Sequence, residues 1–228
     1  MNYTDRGKRG NQMLARSDHV AEIEGARLLS LKDARAALAE RDDATLGWLL
    51  DWTGAYLTKA HDGLGRRGPV CPFTPQAIRI DTIRVAVSQH SGRDGDAVER
   101  LVRACFDELD EISCAPGREQ FRAIVLAFPN CTSPAGVEML KRVQSRLSPL
   151  SLLRARMIGL FHPDHDARGA WNAAFRPLQA PVPMIVVRLL VEQDAPFAAR
   201  NLRLLGLYLL KFRWAGVRRL HAYWAGSA

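Results

Sequence analysis

DTIRVAVSQHSGRDGDAVERLVRACFDELDEISCAPGREQFRAIVLAFP, residues 81–129, decides how the chain folds. Its first part alternates, with Ile83, Val85 and Val87 on one face, the period-two signature of a strand. The middle switches to helical spacing. Val98, Leu101, Val102, Cys105, Phe106 and Leu109 fall on one stripe, with charged residues between them. The last part, Phe121–Pro129, is an almost unbroken apolar run, which reads as a strand buried on both faces. Strand, helix and strand within fifty residues place a sheet and a covering helix in one core.

Outward from this unit, the same reasoning extends in both directions. Ser30 is placed to cap a helix over LKDARAALAE, and Asp43 a second over ATLGWLLDWTGAYLTKA that ends at Gly63. In the second helix Leu46, Leu49, Leu50, Trp52 and Tyr56 are the expected buried set. Residues 64–75, LGRRGPVCPFTP, carry two glycines and three prolines and read as a loop of defined path. Beyond residue 129, Ser133 caps and Pro134 opens a helix. LRARMIGLF (153–161) and PMIVVRLLV (183–191) are strand candidates. Residues 194–214 form an amphipathic helix that starts at Asp194. Residues 1–20 are polar and basic without periodicity and are expected to form a flexible arm. The expected fold is therefore a single α/β (α+β) domain over residues 21–228. Its mixed sheet has about four or five strands covered by helices, with a helical N-terminal segment and a C-terminal helix.

Composition narrows the function classes. The 228 residues carry a net charge of +8, a field that suits nucleic acid, an anionic cofactor or an acidic partner. The excess of Arg and Lys is spread along the chain, which equally fits a solvated basic surface. The four cysteines form no CxxC pair, which argues against structural zinc and against a disulfide framework. No apolar stretch is long enough to span a bilayer. The N-terminal segment has no apolar signal core, so a cytoplasmic protein is expected. No GxGxxG follows a strand, and neither GxxxxGK[ST] nor GxSxG occurs. These absences set aside a Rossmann cofactor, P-loop nucleotide hydrolysis and the α/β-hydrolases.

Three places can carry chemistry. In GLFHPDHDARGAW (159–171), His162 and His165 can serve as metal ligands with Asp164 and Asp166 as supports. The same residues also fit a polar turn. His162, pinned between a strand and Pro163, has the rigidity of an axial haem ligand. Arg168 and Arg176 can pair with propionates. In GPVCPF (68–73), Cys71 is held extended between prolines, as a reactive thiol or as a small buried residue. The C-terminal helix combines Arg200, Arg203, Lys211, Arg213, Arg218 and Arg219 with Trp214, Tyr223 and Trp224. That mixture suits nucleic acid or a membrane surface. Leu202, Leu205, Leu209 and Phe212 also fit a stripe docked on the core.

GRRGPVCPF (65–73), the segment from Gly159 to Val191 and DAPF (194–197) together resemble a bacterial family often found beside biosynthetic genes. The Cys-Pro-Phe and Phe-His-Pro pieces are similar to the YqcI/YcgG family, which includes haem-dependent N-hydroxylases of guanidino groups. The resemblance implies a haem b oxygenase with His162 as the axial iron ligand. Cys71 and Phe73 would line the same pocket. The expected substrate is a small amine or guanidino compound, with an electron donor besides and a possible homodimer. Where that family tends to continue with a Ser/Arg-rich stretch, this chain has Asp164-His165-Asp166. Those carboxylates would then be free to pair with a cationic substrate. Two other expectations stand beside it: a non-catalytic basic module for nucleic acid or an acidic protein, and a non-haem metal enzyme built on His162 and His165.

Overall fold

A computed structural model describes residues 21–199 and 201–225. The arm expected over residues 1–20 lies outside them. The chain is a single α+β domain built on a six-stranded mixed sheet. The strands are β1 (Ala21–Ile23), β2 (Ala26–Ser30), β3 (Ile83–Val87), β4 (Ala123–Ala127), β5 (Arg156–Phe161) and β6 (Met184–Leu189), in the order β1-β2-β3-β4-β6-β5. The β3–β4 pair is parallel and the other neighbours are antiparallel. It follows that β3, β4 and β5 run the same way, while β6 enters between β4 and β5 from the opposite end. One end rung is Val87–Ala127–Met184–Phe161, and the other is Ile83–Ala123–Arg188–Met157.

Both faces are covered. On one, α4 (Gly95–Glu111) and α5 (Pro134–Leu153) pack on Leu28, Ala86, Ile124, Leu126, Ile158, Leu160, Ile185 and Val187. All six stripe residues of α4 are buried, and each side chain of that size contributes about 1.5–3 kcal/mol. The other face, with Leu29, Ile83, Val85, Val125, Ala127 and Met184, is covered by α1 (Leu31–Glu40), α2 (Ala44–Asp51) and α3 (Thr74–Arg79). A third cluster joins α6 (Ala195–Ala198) and α7 (Leu202–Trp224) to Leu190. Among the described residues no helix is long and apolar enough to cross a membrane.

The expected caps at Ser30, Asp43 and Ser133 are present, each side-chain oxygen accepting a backbone N–H of the first turn. Four elements differ from expectation. Residues 21–30 form a hairpin, because Glu24 and Gly25 both take positive φ (47° and 75°), the two-residue turn that matches strand twist. The second helix stops at Asp51 and widens into a π-helical turn over Trp52–Tyr56. A short helix, α3, follows the Pro-rich loop. The C-terminal helix is broken after Ala198 and restarts on an Asn201 cap. It then kinks at Arg213, whose backbone sits at φ 47°, ψ −127°.

Candidate functional site

The loops after β3, β4 and β5 leave the sheet at the same end, the end where ligands collect in α/β sheets. After β3, the buried Ser88 hydroxyl lies 2.8 Å from His90 Nδ1. After β4, Asn130 Nδ2 donates to the Gln89 carbonyl. After β5 comes His162, only 4% exposed.

His162 is held by its backbone. Its N–H donates to Leu178 O, and its carbonyl accepts from His165 and Ala180. Strand alternation puts its ring on the α5 side, since Ile158 and Leu160 pack there and Phe161 points the other way. Nδ1 of His162 is buried without a hydrogen-bond partner. The His165 ring is 4.8 Å away, and its own Nδ1 accepts the Ala167 N–H at 3.1 Å. Burial pushes the His162 pKa below the ordinary imidazole value and Lys141 pushes the same way, while Asp164 and Asp166 pull back. His165 is lowered too, first by burial and then by His162. Both rings are therefore neutral near pH 7. Asp164 and Asp166 themselves are exposed.

The other expected pocket residues are elsewhere. The Phe73 ring packs on Phe121 at 5.9 Å, beside the start of β4. Cys71, half-buried, is near enough to Arg188 to favour its charge. Phe73 therefore sits toward the Arg188 rung, about 13 Å along the strands from the rung that precedes His162. Arg168 is exposed. The Arg176 guanidinium donates to the Ala173 and Phe175 carbonyls at 2.7 and 3.3 Å. His162, Cys71, Phe73, Arg168 and Arg176 thus do not converge on one pocket. The residues that the resemblance assigns to a haem pocket are therefore not gathered around His162. Nor, among the described residues, is any group of three or more His, Cys, Asp or Glu placed to hold a metal ion.

The two motif segments do touch, through different residues. Asn172 Nδ2 donates to Gly63 O at 2.9 Å, and the His61 and Phe175 rings lie 5.0 Å apart. Gly65, at φ 71°, packs so closely that a Cβ would come 2.9 Å from Trp171 O. Gly63 to Gly68 also spells GxGxxG, but no strand leads into it and no long helix leaves it, so its amides do not form a phosphate cradle.

An open cleft of about 580 Å³ lies on the α2 face. One wall is the aromatic series Trp48, Trp52 and Tyr56, with neighbouring ring centroids 6.2 and 6.5 Å apart. Gln179 and Pro181, from the segment that pairs with His162, complete the lining. Asp51 and Lys59 supply the charged groups of its lining, and burial raises the Tyr56 pKa, keeping the phenol protonated. Trp52 also makes an edge contact with Phe161 at 5.4 Å. The π-helical turn supplies Trp52, Ala55 and Tyr56, the kind of helix irregularity that recurs at functional sites. Trp52 is buried as expected and Tyr56 packs partly buried beside it, and both also line the cleft. Aromatic residues at i, i+4 and i+8 beside Asp51 were the available signal.

A family profile described as a domain of unknown function, DUF6875, matches residues 46–222, most of the chain. No curated protein and no solved structure matches it.

Proposed function

We propose that this chain, which belongs to the DUF6875 family, recognises a small molecule bearing an amine or guanidinium group in the cleft along α2. The observation that carries this reading is a cleft lined by Trp48, Trp52 and Tyr56 together with the Asp51 carboxylate. Aromatic faces attract a cation through the ring quadrupole, by about 0.5–2 kcal/mol per contact. A carboxylate in the lining adds a charge-assisted hydrogen bond to an N–H donor. Lys59, also in the lining, suits a carboxylate on the same ligand, so an amino-acid-like guanidino compound matches both charges.

The substrate class is the one implied by the resemblance to the guanidino N-hydroxylases. The iron chemistry of those enzymes is not part of this proposal, since His162 is on the other side of the sheet.

Titration with arginine and agmatine, followed by tryptophan fluorescence and calorimetry, tests the reading. Saturable binding is expected, weakened about tenfold by Asp51→Asn and by Trp48→Ala, as the loss of one such contact implies. The neutral isostere citrulline should bind far more weakly. Binding untouched by both substitutions, or none at all, would overturn the proposal.

A further inference from the structure

The C-terminal helix shows a surface that the cleft does not use. Over Leu202–Trp224 it carries five Arg and Lys residues and no Asp or Glu. Its inner side is anchored by buried Leu204, Tyr208, Gly216 and Leu220. The outer side leaves large apolar groups in water. Leu210 is 74% exposed, Trp214 80% and Trp224 66%, with Val217 also exposed. Beyond the kink, Trp214, Val217, His221 and Trp224 follow one another at i, i+3, i+7 and i+10, which is one helical face. Isolated exposed apolar residues are ordinary, but two indoles and a valine on one face, with Leu210 exposed on the segment before the kink, mark an interaction surface.

The charges around the stripe choose the partner. Lys211 donates to the Leu190 carbonyl, and Arg219 is 3.9 Å from Glu192. Among the described residues, Arg203, Arg213 and Arg218 have no carboxylate within 4.0 Å, and all three are exposed. A second copy packed α7 against α7 would set these cations against their own images. A nucleic acid would use the cations and could stack on the indoles, but it gives Leu210 and Val217 no apolar phase. An anionic bilayer surface satisfies all of them. Indoles settle at the headgroup level, aliphatic side chains enter the acyl boundary, and guanidinium groups meet the lipid phosphates.

We propose that the outer face of α7 docks the protein on an anionic lipid surface through Leu210, Trp214, Val217 and Trp224, with Arg203 and Arg218 as its electrostatic flank. The observation is independent of the cleft and of any ligand there.

The test is co-sedimentation of the full chain with vesicles of phosphatidylcholine alone and with added phosphatidylserine. Brominated lipids serve as a quencher of tryptophan fluorescence. Binding to the serine-containing vesicles should be at least tenfold tighter and should fall with salt. Trp214→Ala with Trp224→Ala should abolish the bromine quenching. Arg203→Gln with Arg218→Gln should weaken binding several-fold and leave the residual quenching in place. Circular dichroism melts of each variant keep loss of folding separate from loss of docking. The proposal is overturned by equal binding to neutral vesicles, by none to either, or by displacement with duplex DNA through the same residues. A stable dimer that buries Trp214 in solution would also overturn it.

Discussion

Arg188 and Asp194 meet through two N–H···O bonds of 2.8 and 2.5 Å that tie the end of β6 to the start of α6. Asp194 is buried and also accepts the Val191 N–H at 2.9 Å. Burial alone would lower the Arg188 pKa, yet Asp194, with Cys71 adding to it, leaves it raised. Asp194 takes the expected N-cap position before α6, but its side chain makes no capping bond there and serves as the counter-ion of a sheet residue. Asp194→Ala leaves the guanidinium without its partner, and urea unfolding should show a loss of about 3–5 kcal/mol. Replacing both residues with apolar ones of similar volume should cost less than the single change.

Acid should destabilise the fold through the histidine pair. His162 and His165 have folded pKa values below the unfolded imidazole value, so the unfolded chain takes up protons first as pH falls. Their stabilising contribution is complete above about pH 6.5 and is lost as pH drops from there toward the folded values. Melting temperature measured from pH 7.5 to 5 should fall, and His162→Gln should flatten that fall.

The thiols should divide into two classes. Cys105 is buried with its pKa pushed up to about 12, mainly by desolvation, and Cys131 likewise to about 11. Cys71 and Cys114 are partly accessible. Iodoacetamide on the folded protein, read by mass spectrometry, should label Cys71 and Cys114 and spare Cys105 and Cys131 until denaturant is added.

Gly136, in the first turn of α5, allows the helix to approach the loop after β4. A Cβ there would be 2.7 Å from both Cα and O of Cys131. Those are backbone atoms, so relief requires the helix to move. Gly136→Ala should cost about 1–3 kcal/mol in chemical denaturation, although alanine is the better helix former.

What could be read from the sequence depended on how locally each feature is determined. The α4 stripe and the caps at Ser30, Asp43 and Ser133 rest on residues three or four apart, and they stand as expected. The β1–β2 hairpin escaped because its strands are short and its turn depends on positive φ at Glu24, which residue type does not announce. The break before Asn201 escaped because the apolar spacing continues through it. The site was harder still. Phe73 and His162 share one resemblance, yet Phe73 packs beside the start of β4 and His162 follows the end of β5, a separation set by long-range packing. The aromatic cleft escaped for the opposite reason. Trp52 is indeed buried, and only the π-helical turn and the Gln179–Pro181 segment give the series an open side.

The strand that completes the sheet is the last of the six to leave the ribosome. Until residues 184–189 are made, β4 has an open edge on the side away from β3, and β5 has no neighbouring strand at all. A chain ending anywhere between Phe161 and Met184 would carry two unsatisfied rows of amides and carbonyls flanking a strand-wide slot. Such a fragment has a ready template for capturing a strand from another molecule. The C-terminal fifth of the sequence therefore closes the domain, and truncations made to isolate a smaller core should aggregate rather than fold.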